Sequence, residues 1–310
     1  MAGSLLALRC KVPFRNAHRR GATGVSHWLV CIRRRGTTLA PTRATRAIGL
    51  RATGRVLGGR AIEETWLARS GMISAEEFAH QFGSYWERQV PLLDEFVRRV
   101  NRTYDRYMPE LYGVAVPSAR RALINEIGFD LFGLAVRDGG VQESRRFTRA
   151  EALESYFHVK TRLRAITDSS AMSDAVPSEG ELGEARGIAD RISQYFRMTR
   201  VSPLTVSPAF KGCGVISQSN GDIIGGETLY EVKSVNRTFR GSDFRQLLVY
   251  VAMNYGDDAF EIENVAILNP RRGIVFEAPL EEFANQAAGM PPVELVAQVI
   301  NFVSSMEVST

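Results

Sequence analysis

Two acids and a lysine lie close together in Gly221-Asp222-Ile223-Ile224-Gly225-Gly226-Glu227-Thr228-Leu229-Tyr230-Glu231-Val232-Lys233-Ser234-Val235. Glycines in the middle and apolar or β-branched residues on either side predict a β-hairpin. Pairing Ile224 with Leu229 across the turn Gly225–Thr228 sets Asp222 opposite Glu231. Directly opposed hairpin residues hold their Cβ atoms about 4.5–5.5 Å apart. Two carboxylates that close repel one another unless a cation lies between them, and oxygen-only ligands suit Mg²⁺ or Mn²⁺ rather than zinc. Strand alternation places Glu231 and Lys233 on one face and turns Tyr230, Val232 and Ser234 into the packing on the other. A bound metal lowers the pKa of its water and neutralises charge developing on a phosphate, and an ammonium beside it can orient that water or help deprotonate it. This is equipment for hydrolysing a phosphodiester.

Downstream, Gln246-Leu247-Leu248-Val249-Tyr250 puts a glutamine and a tyrosine four residues apart, on one face of a helix. Asp222, then Glu231-Val232-Lys233 as an E-x-K element on the next strand, then Q-x-x-x-Y, resembles the PD-(D/E)xK nuclease superfamily. Gly221 stands where the family name has proline. The resemblance covers about residues 178–278. It implies a restriction-endonuclease-like α/β fold, a mixed central sheet flanked by helices, and a Mg²⁺- or Mn²⁺-dependent nuclease. Asp222 and Glu231 would hold the metal, with the Val232 carbonyl as third ligand, and Lys233 would activate or position water. Gln246 and Tyr250 would support the phosphate. An acid on the preceding helix often completes such sites, and Glu184 is the candidate, with Glu181 behind it. By the same analogy the substrate is DNA, with RNA as the alternative, and the setting is prokaryotic defence or repair. Arg237, Arg240 and Arg245 follow the acids and are candidates for holding phosphates bidentately. Arg271 and Arg272, on a later turn, are either further phosphate contacts or an exposed charged loop.

The elements that must position these residues follow from periodicity. Phe78, Phe82 and Trp86, then Leu92, Phe96, Val100 and Tyr104, predict two helices separated near Pro91. Ser118 can cap a helix to about Val136, and Thr148-Arg149-Ala150-Glu151 is a capping box for a helix to about Ile166. Residues 72–170 therefore read as a helical domain for target or partner recognition, and residues 171–310 as the nuclease-like domain. Thr167–Pro177 reads as a loop. Ser178 and Glu181 form a second capping box before a helix to about Phe196. Strands are expected at 214–217, 221–224, 228–235, 262–268 and 273–276, and helices at 244–254, 279–288 and 292–305. Strands interleaved with helices make an α/β domain.

The chain's charge belongs to its first segment. Residues 1–62 hold 13 of the 39 basic residues and no acid, so the remainder carries 26 basic and 34 acidic residues, a net of −8. The overall +5 is therefore no evidence that the body binds nucleic acid. For residues 1–71 three readings stay open: a wrongly chosen start codon with Met72 as the true start, a disordered basic arm, or a targeting segment. Intact mass from the native host separates them. Cys10, Cys31 and Cys213 have no zinc spacing and suggest no disulfide framework, which points to a reducing, cytoplasmic setting. No apolar run is long enough to span a membrane. His80 and His158 have no metal-ligand or triad partners at recognisable spacing and read as structural. A different class of function is also open: a nuclease-like fold kept as a non-catalytic nucleic-acid-binding or assembly subunit. So is a homodimer or partner protein engaging residues 72–170.

Overall fold

The computed structural model describes residues 72–110, 116–139, 141, 146–166 and 175–307. The expectations for residues 1–71 and for the loop at 167–174 lie outside these.

Three helices come first: α1 (Ala75–Gln81), α2 (Gly83–Gln89) and α3 (Leu93–Thr103). Ser74 and Glu77 cap α1 reciprocally, the Glu77 N–H donating to Ser74 Oγ and the Ser74 N–H to Glu77 Oε2. The buried stripe of α3 is Leu93, Phe96, Val97 and Val100, while Leu92 sits outside the helix and is exposed. A two-residue strand, β1 (Asp105–Arg106), follows. Next come α4 (Ser118–Arg137) and α5 (Arg149–Ile166). Pro117, not Ser118, occupies the N-cap position of α4. Both expected capping boxes form: Thr148 with Glu151 ahead of α5, and Ser178 with Glu181 ahead of α6 (Glu179–Thr199).

The sheet region contains β2 (Leu204–Val206), β3 (Ala209–Phe210), β4 (Ser219–Asn220), β5 (Ile223–Gly225) and β6 (Thr228–Val232). After it come α7 (Gly241–Asp257), β7 (Asn264–Asn269), β8 (Ile274–Pro279), α8 (Leu280–Ala288) and α9 (Pro292–Glu307). Six strands form one mixed sheet in the order β1-β8-β7-β6-β5-β2. Only β6 and β7 pair in parallel, and α7 makes the crossover between them. The expected strand at 214–217 is reduced to two isolated bridges of Ile216, one to Cys213 and one to Ile73.

The sheet divides the core in two. Ile224, Leu229, Val265, Ile267 and Ile274 face α1, α2, α3, α7, α8 and α9. Ile223, Tyr230, Ala266, Leu268 and Val275 face α4, α5 and α6. The period-two alternation along β6 and β7 assigns each side chain to its layer. Residues 73–100 therefore share a core with residues 210–303, and all described residues fall in one compact unit. The boundary expected near residue 170 does not separate two cores. The first three helices cover one sheet face, and α4 and α5 join α6 on the other. Among the described residues, no helix is long and apolar enough to cross a membrane.

Candidate functional site

The hairpin forms in the predicted register. Ile224 pairs with Leu229, Gly225 with Thr228 and Ile223 with Tyr230. Gly226 opens the turn with φ 56°, the left-handed conformation that a two-residue hairpin loop asks of its first central residue. One step beyond Ile223 and Tyr230 come Asp222 and Glu231. The Val232 N–H donates to Asp222 Oδ2 at 2.6 Å, and the carboxyls of Asp222 and Glu231 are close enough to share a hydrogen bond.

From Glu231 a continuous polar chain runs to α7. Lys233 Nζ lies 2.8 Å from Glu231 Oε1 and donates to Gln246 Oε1 at 2.8 Å. Gln246 Nε2 donates to the Tyr250 hydroxyl at 3.1 Å, and that hydroxyl donates to the Asn220 carbonyl at 3.1 Å. Glutamine suits this position because its amide offers an acceptor to the ammonium and a donor to the phenol at once. Glu231, Gln246 and Tyr250 are buried, while Asp222 and Lys233 keep part of their surface open to solvent. The five expected residues Asp222, Glu231, Lys233, Gln246 and Tyr250 are thus brought together in one network.

Its electrostatics are those of crowded acids. Burial, then the neighbouring Glu231 charge, pushes Asp222 well above the usual carboxylate range, against the opposing pull of Lys233. Burial also raises Glu231, with Lys233 opposing. Burial alone would lower Lys233, but Glu231 and Asp222 override it and hold the ammonium above its ordinary value. Lys233 is therefore held as a positive charge while the two acids face it without a cation. Burial, with the two acids adding to it, raises the Tyr250 phenol, which stays neutral as a hydrogen-bonding group.

Two adjacent carboxyls, each costly to ionise, form an oxygen donor set that a divalent cation would relieve. Among the described residues no group of three or more His, Cys, Asp or Glu side chains gathers as metal ligands. A cation there would take Asp222 and Glu231, with the expected Val232 carbonyl and water completing its shell. That is how Mg²⁺ is commonly held, through one or two carboxylates with several waters kept.

Most of the other expected residues are engaged elsewhere. Glu184 is buried in an ion pair with the equally buried Arg271. That guanidinium also donates to Asn125 Oδ1 and the Ser234 carbonyl, so it anchors the chain just after Lys233. Glu181 caps its own helix and binds Arg120. Arg237 grips the fully buried Asp243 at 2.7 and 2.9 Å. Arg245 extends the other way, its guanidinium 6.0 Å over the Trp86 ring with the charges of Asp94 and Glu87 nearby. Arg240 is exposed. Arg272 pairs with Glu110 at 2.9 Å.

An acid with no place in the sequence reading adds a small charge effect from α4. The Glu126 charge adds the least of the causes that raise Asp222, after burial and Glu231. Burial pushes its own carboxyl up, and Arg162 of α5, 2.7 Å away, opposes that. One turn along, His158 Nδ1 lies 2.8 Å from Asp130 Oδ1, so His158 does have an acidic partner.

Comparison of the chain with protein-family models, curated proteins and solved structures finds no match.

Proposed function

We propose that this protein is a metal-dependent nuclease that hydrolyses phosphodiester bonds at the end of the β5–β6 hairpin, on a restriction-endonuclease-like fold. One observation carries the reading: the Glu231, Lys233, Gln246 and Tyr250 side chains form one connected network, and Asp222 holds the Val232 N–H beside it. A scaffold needs no pair of carboxyls held against their preference to ionise. A Mg²⁺ or Mn²⁺ ion held by Asp222, Glu231 and the Val232 carbonyl would supply an activated water and neutralise phosphate charge. The protein's own part is positional. Glu231 and Gln246 fix the Lys233 ammonium, Tyr250 fixes Gln246, and the Asn220 carbonyl fixes Tyr250. Lys233 then orients the attacking water in line with the P–O bond to be broken, or holds a non-bridging phosphate oxygen as charge develops on it. DNA is the substrate favoured by family analogy, with RNA the alternative.

Cleavage of plasmid, single-stranded DNA and RNA with Mg²⁺, Mn²⁺ or EDTA tests this, using wild type beside Lys233→Ala and Asp222→Asn. Cation-dependent cutting lost in both variants is the expected result. No cutting by any protein, together with salt-dependent nucleic-acid binding that ignores the cation, would favour a non-catalytic binding subunit.

A further inference from the structure

The turn between β7 and β8 grips the chain that carries Lys233 out of the sheet. Strand β6 ends at Val232, and the Lys233 N–H still donates to the Leu268 carbonyl of β7 at 2.8 Å. Residues 234–240 then belong to no strand or helix until α7 begins at Gly241. Arg271 Nε donates to the Ser234 carbonyl at 3.0 Å. Asn269 Nδ2 donates to the Val235 and Arg237 carbonyls at 2.9 and 3.0 Å. Both side chains are buried, which keeps water from competing for these bonds.

Arg271 is itself aimed from the other face of the sheet. Glu184 of α6 pairs with Nη1, and Asn125 Oδ1 of α4 accepts from Nη2 at 2.9 Å. A guanidinium is a rigid planar fork, so fixing Nη1 and Nη2 fixes where Nε points. Stability does not account for the arrangement. Apolar residues of similar size often match or better a buried ion pair. Glu184 Oε2 is moreover buried with no hydrogen-bond partner among the described residues. What the pair secures is the direction of Nε. Lysine is a point charge on a flexible four-carbon stem, so its ammonium keeps a fixed place only if its backbone does.

We propose that Arg271 is a positioning residue for Lys233, and that Glu184 serves the site at one remove by aiming Arg271. The link is the Ser234 peptide, directly after Lys233, so neither side chain needs to reach the acids. Glu184 thus acts through Arg271 rather than as a cation ligand. This rests on the nuclease reading of Lys233 and extends it.

The test uses the full chain carrying Glu184→Met with Arg271→Met, in which two apolar side chains replace the pair. Beside it stands Arg271→Lys, which keeps the charge next to Glu184 and gives up the Nε donor. Cleavage of fluorescein-labelled oligothymidylate with Mn²⁺ gives kcat and KM. Urea denaturation gives stability, a calorimetric Mn²⁺ titration counts intact sites, and amide hydrogen exchange reads the segment itself. Both variants should keep the wild-type urea midpoint and Mn²⁺ stoichiometry. They should lose about 10–100-fold in kcat with KM within about twofold, as for a catalytic group displaced by about 1 Å. Amides of residues 233–237 should exchange at least about tenfold faster, while those of β6 and β7 keep their protection. Activity that falls only in step with the midpoint or the site count would assign the pair to stability and overturn the positioning role. Wild type that cuts, beside variants with unchanged kcat or unchanged exchange at 233–237, would also overturn it and leave the nuclease reading standing. Wild type that cuts neither DNA nor RNA would overturn both.

Discussion

Replacing Lys233 with methionine should expose the electrostatic design of the site in stability as well as activity. The ammonium makes two contacts at 2.8 Å, one to Glu231 and one to Gln246. Its side chain is 15% exposed and that of Glu231 only 4%. Methionine keeps the length and removes the charge, stranding Glu231 among apolar atoms and beside Asp222. Breaking a buried pair by deleting one partner costs about 3–5 kcal/mol. Glu231 can escape part of that cost by taking up a proton. The sign follows: a carboxyl whose folded-state pKa is raised loses stability as pH rises through that pKa. At about 1.4 kcal/mol per pK unit, the penalty should shrink by up to about 3 kcal/mol between pH ~7.5 and pH ~5. Urea denaturation of wild type and Lys233→Met in EDTA at both pH values measures it. A cost below about 1 kcal/mol, or one independent of pH, would refute the claim that Lys233 neutralises a buried carboxylate.

Two more perturbations probe the frame around the site. Asp243→Ala removes the acceptor of two Arg237 hydrogen bonds and of the Arg240 N–H, and should cost about 2–3 kcal/mol in thermal unfolding, since Arg237 can partly resolvate. Gly273 has φ 62°, and a Cβ there would strike the Met108 carbonyl. Gly273→Ala should therefore destabilise by more than about 2 kcal/mol, with the midpoint in urea falling and the slope unchanged.

The hairpin was legible because a period of two and a glycine-rich turn fix both register and face, so Asp222 and Glu231 could be set opposite each other from sequence. The Gln246–Tyr250 pair was legible for the same kind of reason, as an i, i+4 spacing on one helix. Short edge strands were not. Residues 105–106 and 204–206 are too short to show alternation, and they form strands only because neighbours offer free edges. Glu184 shares the i, i+4 stripe of Ile188, Ile192 and Phe196, so its helix carried it into the core and onto Arg271. Arg245 precedes Gln246 by one residue, about 100° around the helix, which turns it away from the acids.

The most direct test of the central claim is a calorimetric Mn²⁺ titration of wild type and Asp222→Asn, without nucleic acid, at pH ~7.5 and ~6. Burial raises both Asp222 and Glu231, so protons compete with a cation for these carboxyls, and the competition grows as pH falls. The account predicts one site in wild type, weaker at the lower pH, with proton release shown by heats that depend on the buffer. It predicts at least about a tenfold loss of affinity in the variant. Equal Mn²⁺ affinity in the two proteins, or no binding by wild type at either pH, would contradict it.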